Sequence, residues 1–347
     1  MDGGCFPEAQ SVAKSWIAVL LLDGFSSLSL GGITEPFALL QQQLPDATPS
    51  LRVIGLSSPS VRSASGIEVS CEMDGDDLST VLFTSGAPMA IIVCGPTHTQ
   101  YCEEKSTIAL LRKAKRSGVA LFGVGRIAWG MADAGLLKGR DATVHWKSLA
   151  AFAESCQMTD TRNALFVTDE SGGSCAGELA TLDMTINMIA AWAPEAATEI
   201  CNQLLVSHPR KGSTAQPGSQ QERLRHVPGM LSRAAQIMAR EIENPLNGSR
   251  IAAECGISVR QLERLFRRHL GTTPLQYYTA LRVERSLELV SQTNLSLQEI
   301  AFAAGFTSVG TFSKKFKLML GITPTQLRQT SKTVTGRGQG QWIPACA

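Results

Sequence analysis

Several features that would assign this chain to a special class are absent. None of its apolar runs approaches the roughly 18 to 20 residues that a membrane-spanning helix needs. The longest run, Trp16–Leu22, has the length of a strand. Residues 1–14 are polar and carry Asp2 and Glu8 where a secretory signal has basic and then apolar residues. The hydrophobic fraction of 44% excludes a disordered or collagen-like chain. We therefore expect a soluble, cytoplasmic protein that has no membrane partner.

Paired cysteines are absent as well. The nine cysteines are an odd number, no two of them have C-x-x-C spacing, and no histidine lies at ligand spacing from two of them. A disulfide framework and a zinc site are therefore not indicated. We expect unpaired thiols in a reducing compartment, and neither a metal nor a cofactor.

The charge of the chain is small in total but unevenly distributed. The net charge is +2 over 347 residues. From Glu222 to the C-terminus, 17 Lys and Arg stand against 8 Asp and Glu, a net charge of +9, whereas the preceding residues carry 15 and 22, a net charge of −7. A basic C-terminal part predicts contact with a polyanion, although a solvated helical surface has a similar composition.

A change of composition divides the chain into two domains. Residues 206–228 are rich in Pro, Gly, Ser and Gln and lack apolar periodicity, which predicts an exposed linker. The linker separates residues 15–205 from residues 229–330, and each part is long enough to bury its own core. Residues 331–347 are predicted to be a flexible tail.

The N-terminal domain alternates short apolar strands with helices. This pattern predicts an α/β domain with a parallel sheet, in which ligands bind at the carboxyl ends of the strands. The ends to consider follow Leu22, Val93 and Phe122. A dinucleotide loop at Gly123-x-Gly125 is not indicated, because no third glycine follows in register. The predicted strands are Trp16–Leu22, Leu51–Leu56, Ala90–Val93 and Val119–Phe122, and the predicted helices include Ile33–Gln43 and Lys105–Arg116.

Four segments of this domain carry a family resemblance. They are Ser65-Gly66, Val93-Cys94-Gly95, residues 134–146 (AGLLKGRDATVHW) and residues 175–183 (CAGELATLD). They resemble the DJ-1/PfpI domain, which is class I glutamine amidotransferase-like, as it occurs in GlxA-type regulators. The resemblance covers nearly all of residues 15–205 and implies a flavodoxin-like α/β fold.

The same resemblance predicts that the cysteine chemistry of the superfamily is missing. Its enzymes place a nucleophilic cysteine on a strained turn, supported by a Glu and often by a His. The resemblance puts Gly125 at the nucleophile position, followed by Arg126, while Glu35 matches the supporting acid and His145 lies near the expected His. A glycine cannot be a nucleophile, and nothing near Cys94 in sequence activates its thiol. We therefore expect no catalytic residue and no enzyme.

A pocket without chemistry is suited to sensing. Glu35 would hold the ammonium or guanidinium of a small nitrogenous effector, with Trp129 or Trp146 as a cation–π face. The alternative is structural: Glu35 caps a helix or pairs with Arg126, and the tryptophans belong to the core. The ligand-binding candidates are Glu35, Cys94, Gly95, Gly125, Arg126, Trp129 and His145.

The C-terminal domain contains an internal repeat. Each copy has a short apolar helix, a turn centred on glycine and a second helix rich in Arg or Lys, which predicts two helix-turn-helix units. Ser258 and Ser308 are suited to cap the second helices, and Pro274–Ser291 supplies a connecting helix. Ile251–Gly256 recurs as Ile300–Gly305 with an offset of 49, and Phe266, Gly271 and Pro274 recur as Phe316, Gly321 and Pro324 with an offset of 50.

The two units, together with Gly305-Phe306 and Gly321-Ile-Thr-Pro324, resemble the AraC/XylS DNA-binding domain over about residues 230–330. With the N-terminal resemblance, the chain is similar to GlxA-family transcriptional regulators. The resemblance implies binding of double-stranded DNA in successive major grooves, a homodimer formed by the N-terminal domain, and a small-molecule effector. Activation is the commoner behaviour of the family and implies RNA polymerase as a further partner.

Helical spacing and the resemblance together assign roles within the second helices. Arg260, Glu263 and Arg264 match the base-reading positions, since Arg reaches guanine O6 and N7 and Glu accepts from cytosine N4. Arg267 and Arg268 are expected on phosphates. The first helix-turn-helix unit is therefore expected to determine sequence specificity, and the second to anchor the domain on the DNA. In the second unit Phe312, Phe316 and Met319 are expected in the core, and Val309, Gly310, Thr311, Ser313, Lys314 and Lys315 on or beside the DNA-facing surface.

Two other functions remain open at this point. The first is a DNA-tethered amidase, protease or glyoxalase-like hydrolase, against which Gly125 is the discriminating residue. The second is a ligand-independent DNA binder whose N-terminal domain is vestigial, and sequence-selective binding would count against it.

Overall fold

The computed structural model describes residues 15–96, 105–217 and 227–334. It divides into two compact units, Met1–Gln216 and Pro217–Ala347. Part of the predicted linker (218–226) and most of the predicted tail (335–347) lie outside the described residues. Within the predicted tail, residues 331–334 continue the last helix, so the helical domain extends beyond the expected boundary at residue 330.

The first unit alternates strands and helices. Its strands are β1 Trp16–Leu21, β2 Ser50–Gly55, β3 Ser60–Arg62, β4 Glu68–Ser70, β5 Ala90–Cys94, β6 Ala120–Val124, β7 Asp141–Ala142, β8 Asp160–Thr161, β9 Phe166–Asp169 and β10 Gly172–Cys175. Its helices are α1 Ser27–Gln43, α2 Gly75–Val81, α3 Lys105–Arg116, α4 Ile127–Asp133, α5 Leu149–Ser155, α6 Leu179–Ala190 and α7 Pro194–Gln203.

A six-stranded sheet forms the centre of this unit, with the strand order β2-β1-β5-β6-β10-β9. Neighbouring strands are parallel except for the edge pair β10 and β9. Strands β1, β5 and β6 are buried along their whole length, as expected for a parallel sheet covered by helices on both faces. Helices α1, α6 and α7 pack together, as do α2, α3 and α4. The predicted α/β fold is confirmed.

Residues 208–216 differ from the sequence-based expectation of an exposed linker, because they pack against the first unit. Arg210 forms an ion pair with the buried Asp183, with an Nη2–Oδ2 distance of 2.6 Å. Gln216 is only 2% exposed. Linker-like composition hid this packing, which depends on polar bonds to distant residues rather than on apolar periodicity. We call residues 208–216 the strap.

The second unit is helical, as predicted. Ser258 and Ser308 accept hydrogen bonds from the backbone N–H groups three residues later, so both predicted N-caps are present. The helices are α8 Gly229–Arg240, α9 Gly248–Glu254, α10 Val259–Leu270, α11 Pro274–Gln292, α12 Leu297–Ala303, α13 Val309–Leu320 and α14 Pro324–Val334.

The long helix α11 connects the two helix-turn-helix units through two side chains. Tyr278 donates its hydroxyl hydrogen to the Glu241 carbonyl at 2.5 Å, in the loop that joins α8 and α9. One turn later, Arg282 donates to the carbonyls of Ala304 and Gly305 at 2.9 and 2.6 Å, at the end of α12. Its guanidinium also lies 4.1 Å from the centre of the Phe306 ring. Because they are four residues apart, Tyr278 and Arg282 share one face of α11.

One predicted core residue of this unit is exposed. Phe312 and Phe316 are fully buried, as expected, but Met319 is 38% exposed. The buried face of α13 has a four-residue spacing, so its continuation is the half-buried Leu320 rather than Met319. The assignment of Met319 to the core was therefore wrong.

The turn glycines of the two units provide a matched test of the packing. Gly256 and Gly305 both have positive φ angles, +68° and +72°. A Cβ on Gly256 would meet open space, whereas one on Gly305 would lie 2.1 Å from the Ile242 carbonyl oxygen. Both alanine variants should lose about 1–2 kcal/mol because of the left-handed backbone. Gly305→Ala should lose a further 1–3 kcal/mol or so because of the clash.

Hydrogen exchange in the full chain measures the difference, on the α9 and α10 amides for Gly256→Ala and on the α12 and α13 amides for Gly305→Ala. Equal losses of protection in Gly256→Ala and Gly305→Ala would show that the contact between Gly305 and Ile242 does not constrain the second helix-turn-helix unit.

Candidate nucleic-acid interface and ligand site

Helix α10 separates an apolar face from a charged face. Leu262 and Phe266 are fully buried, and the Phe266 ring packs edge-on against Tyr277 with centroids 5.2 Å apart. The capping box of Ser258 and Gln261 fixes where the helix begins. Together these contacts fix the rotation of the helix. On the opposite side the five predicted DNA-contact residues are exposed and line one surface hollow: Arg260, Glu263, Arg264, Arg267 and Arg268.

The arginines of this charged face can bind an external anion. Four guanidiniums and one carboxylate give it a net charge of +3. Within the described part of the chain, none of the four guanidiniums is in an ion pair, so no internal carboxylate competes for them. Guanidinium donors are suited to both guanine edges and phosphates, which is the chemistry expected of a DNA-reading helix.

Helix α13, in the second helix-turn-helix unit, presents a surface that differs from that of α10. Lys314 and Lys315 are exposed, and Val309 and Ser313 are half-buried. The Thr311 hydroxyl lies 3.0 Å from the Ser308 hydroxyl, with which it shares a hydrogen bond at the start of the helix. Lysine ammonium groups act as point charges and do not make the planar two-point contacts of arginine. The geometry therefore agrees with an anchoring role.

One cationic residue of α13 was missed in the sequence analysis. Lys317 is exposed one turn beyond Ser313. The repeat offset of 50 places Lys314 opposite Arg264 and Lys317 opposite Arg267 in the two units. Carrying the offset along the whole helix would have identified Lys317 as a phosphate-contact candidate.

In the first unit, three strand ends meet at the predicted ligand edge. Cys94 at the end of β5 and Cys175 at the end of β10 both pair with Val124 of β6. Gly125 follows with a φ of +69° and donates its N–H to the Cys175 carbonyl at 2.9 Å. The structure thus brings Gly95 and Gly125 to one edge of the sheet, and Gly125, the first residue of the turn after β6, carries no side chain.

Neither thiol at this edge can take over as a nucleophile. Cys94 and Cys175 are buried. Burial raises the pKa of the Cys94 thiol far above its usual range and that of Cys175 to about 12. Both thiols are therefore protonated near neutral pH, whereas the reactive form is the thiolate.

Arg126, which follows Gly125 directly, forms a cation–π pair with Trp129. Arg126 is only 6% exposed, and its guanidinium carbon lies 4.9 Å from the centre of the Trp129 ring. The Trp129 ring also packs edge-on against Phe152 of α5 at 5.3 Å. Trp129 Nε1 is buried and has no hydrogen-bond acceptor among the residues that the structure describes. Because Arg126 already occupies a face of this ring, Trp129 is poorly placed to receive an effector cation.

The structure contradicts the placement of Glu35 in the cleft. The buried face of α1 includes Ser29, Ile33 and Phe37, and Glu35 lies on the exposed side of the same helix. A residue two positions after Ile33 points away from the buried face, because successive helical residues are rotated by about 100°. Glu35 therefore does not supply a carboxylate next to Gly125.

The segment after β10 brings another carboxylate, that of Glu178, to this edge of the sheet. A Cβ on Gly177 would lie 3.6 Å from the Gly125 Cα and 3.8 Å from the Ser29 hydroxyl oxygen. Glu178 comes directly after Gly177, donates its backbone N–H to the Ser29 hydroxyl at 2.8 Å, and accepts a hydrogen bond from the Ser26 hydroxyl at 2.7 Å. Its φ of +52° is unusual for a residue other than glycine. The strand ends predicted from the sequence did not include the end of β10, which leads to Glu178.

His145 lies in a turn that the strap holds. Its ring is half-buried, and its Nδ1 accepts the Lys147 N–H at 3.4 Å. The Gln216 side chain bonds to the backbone on both sides of His145, at Val144 and at Trp146. The predicted ligand residue His145 is thus physically connected to the start of the linker.

Comparison with known proteins agrees with the two-part architecture. A family model described as a helix-turn-helix domain matches residues 251–330. The HTH-type transcriptional regulator GlxA of Rhizobium meliloti is 32% identical over 321 residues, which cover 91% of this chain and 96% of that protein. The chain belongs to the GlxA-type, AraC-family transcriptional regulators. The predicted family, fold class and DNA-binding regulator are confirmed.

A further relative and a solved structure are also similar to this chain. The HTH-type transcriptional regulator CdhR of Pseudomonas aeruginosa is 30% identical over 89% of this GlxA-type chain and 90% of its own. A solved AraC family transcriptional regulator from Pseudomonas putida is 20% identical, covers 55% of this chain and 99% of its own, and has a TM-score of 0.48. In the portions of the chain described here, no helix has the length and apolar content needed to cross a membrane.

Two arginines of α10 allow base reading to be separated from phosphate binding. Arg264→Ala should weaken binding to the preferred DNA by about 1–3 kcal/mol and relax selectivity at one base position. Arg268→Ala should weaken binding to all sequences alike and reduce the salt dependence of log K by about one phosphate contact. Binding is measured by fluorescence anisotropy on DNA selected with the wild-type chain. A uniform loss on every sequence in Arg264→Ala would show that this residue contacts phosphate.

Proposed function

We propose that this GlxA-type regulator is a sequence-specific transcription factor controlled by a small nitrogenous effector, which its N-terminal unit binds without chemical turnover. The observation that carries the proposal is the Gly125 turn, where the side chain of the superfamily's nucleophile is missing and a carboxylate, Glu178, lies nearby. A glycine at this position, with charged side chains on neighbouring residues, favours recognition over catalysis.

On the DNA side, α10 supplies specificity and α13 supplies affinity. The Arg260, Glu263 and Arg264 side chains carry donors and an acceptor suited to base edges. Arg267 and Arg268 add phosphate contacts. The exposed lysines of α13 have no planar fork for base reading and are suited to the sugar-phosphate backbone, as are phosphate-binding lysines in general.

On the effector side, opposite charges flank Gly125. Glu178 is oriented by the hydroxyls of Ser26 and Ser29, and Arg126 follows Gly125 directly. A carboxylate fixed in this way favours an ammonium, guanidinium or quaternary nitrogen group. The Arg126 guanidinium favours an acidic group at the other end of the same molecule. We infer that the effector is a zwitterion of the amino-acid or betaine class.

The effector assignment is tested with Glu178→Gln and a matched control, Glu35→Gln, in the full chain. L-arginine, glycine betaine and putrescine are compared with glycerol by thermal shift, because a ligand that binds the native state raises the melting temperature. A hit should lose tenfold or more of its affinity in Glu178→Gln, equivalent to about 1.4 kcal/mol, and keep it in Glu35→Gln. A flat panel, or a hit that survives Glu178→Gln, would contradict the proposed anchor.

We also propose that the N-terminal unit forms the homodimer that pairs two DNA-binding units. Three large apolar side chains that are about half exposed, Leu28, Ile67 and Leu179, lie around the network of Ser26 and Glu178. The Ser27 and Ser65 hydroxyls, 2.9 Å apart, bring α1 to the hairpin of β3 and β4 that carries Ile67. Exposed apolar patches of this kind are typical of protein interfaces, and a two-fold interface buries the same patch on both copies.

The dimer is tested with Leu28→Glu against Leu205→Glu. Leu205 is more exposed than Leu28 and lies just past the end of α7. Sedimentation velocity should give a monomer for Leu28→Glu, because the carboxylate would be desolvated in the interface, and a dimer for the control. A dimer in both variants would place the interface elsewhere.

Activation, with RNA polymerase as a partner, and a cytoplasmic location complete the proposal. They rest on family behaviour and on the need to meet DNA. The hydrolase alternative has no supporting observation in the described residues, since both thiols at the Gly125 edge are buried and protonated.

A further inference from the structure

The strap, residues 208–216, is fixed to the first unit at both of its ends and in its middle. At one end, Arg210 donates three hydrogen bonds to the Asp183 carboxylate, with lengths of 2.6 to 2.9 Å. Asn187 also donates to the Arg210 carbonyl at 3.0 Å. In the middle, the Leu165 N–H donates to the Gly212 carbonyl at 2.9 Å, and a Cβ on Gly212 would lie 2.7 Å from the Phe166 carbonyl oxygen. The strap therefore lies flush against the start of β9.

At the other end, the buried Gln216 amide is bonded on both its oxygen and its nitrogen. Its Nε2 donates to the carbonyls of Val144 and Ala164, both at 2.8 Å, and its Oε1 accepts the Trp146 N–H at 2.7 Å. Val144 and Trp146 flank His145. A change in the conformation of the His145 turn therefore changes the hold on Gln216.

Polar bonds rather than apolar burial hold the strap. Because bonds to water can replace these bonds, a segment held in this way can detach without exposing an apolar core. In contrast, Val206, just before the strap, packs against the apolar core of the first unit and also donates its N–H to the Cys201 carbonyl at 2.9 Å. The strap is thus a discrete segment with a fixed point before it.

We propose that the strap sets the length of the tether between the two units and that its release lengthens the tether. This inference rests on the proposed function, in which a dimer binds two half-sites. With the strap attached, twelve residues, 217–228, separate Gln216 from α8. Release adds residues 207–216, which span up to about 35 Å when extended. At about 3.4 Å per base pair, this length corresponds to roughly ten base pairs of DNA.

The tether length then decides which half-site separations a dimer can bridge. A linker shorter than the span it must cross prevents simultaneous binding, and a longer linker restores it at reduced effective concentration. An effector that engages His145 acts on the two bonds of Gln216 and thereby on the permitted separation of half-sites. Regulation by this route needs no change in α10 or α13.

The experiment compares three variants of the full chain: Gln216→Ala, Gln203→Ala, and an insertion of ten Gly and Ser residues between Ser219 and Gln220. Gln203 is an exposed glutamine of α7 and serves as the matched control. Binding is measured on DNAs with two half-sites, selected with the wild-type chain, at separations increased one base pair at a time. Affinity for a single half-site is measured in parallel, together with the rate of trypsin cleavage after Arg210 and Lys211.

We expect Gln216→Ala and the insertion to extend the range of tolerated separations by up to about ten base pairs. Gln203→Ala should keep the wild-type range. Single-site affinity should be equal in all variants. Trypsin should cleave the strap at least fivefold faster in Gln216→Ala than in the wild type.

A wild-type range in Gln216→Ala alongside a broadened range in the insertion variant would overturn the proposal, as would a wild-type range in both. If Gln216→Ala does not fold, Gln216→Glu, which loses the Nε2 donor and places a carboxylate opposite the Val144 and Ala164 carbonyls, takes its place under the same criteria. If the wild-type chain does not bind a single half-site selectively, the proposed function itself is contradicted. The failure of the proposed function can thus be distinguished from the failure of the strap proposal.

Discussion

The DNA-binding unit depends on the hold of Arg282 on the end of α12. Two helix-turn-helix units can occupy successive major grooves only if the spacing between their second helices is fixed. Helix α11 provides the fixed element. Its Tyr278 is bonded to the first helix-turn-helix unit and its Arg282 to the second. A charged donor on two carbonyls is worth about 1.5–3 kcal/mol per bond, more than a neutral pair. The hold is directional as well as strong, so it fixes an angle that apolar packing alone would leave adjustable.

The N-terminal α/β unit illustrates, in the proposed function, how a reactive site can become a recognition site. Replacing a nucleophile with glycine at the turn after β6 removes both the reactive atom and its bulk. In the proposed function, the neighbouring charges then determine which effector binds. Glu178 keeps an unfavourable backbone angle because the hydroxyls of Ser26 and Ser29 hold its carboxylate and its N–H. Strain that persists under such over-determination is characteristic of functional sites. Its location next to Gly125 agrees with a function in binding.

The fold was largely predictable from the sequence, and the site only in part. Repeated glycines, serine caps and apolar spacing identify the two helix-turn-helix units, because these are local signals. Glu35 was misplaced because a motif match gives a position along the chain but not the face of a helix. Glu178 was missed because its role comes from side chains about 150 positions away. Non-local bonds of this kind leave no periodic signal in a sequence.

The strap shows the same limit in a stretch of chain whose composition is typical of linkers. Pro, Gly and Ser indicate the absence of apolar packing, and in residues 208–216 apolar packing is indeed minor. They do not exclude polar attachment, for which one buried carboxylate and one buried amide suffice. Coupling between two sites in proteins amounts to about 1–3 kcal/mol. An effector of this strength can weaken individual polar bonds of the strap, whereas a segment docked through a large apolar face would stay attached whatever the effector does. The polar composition that makes the strap look like a linker is therefore what suits it to regulation.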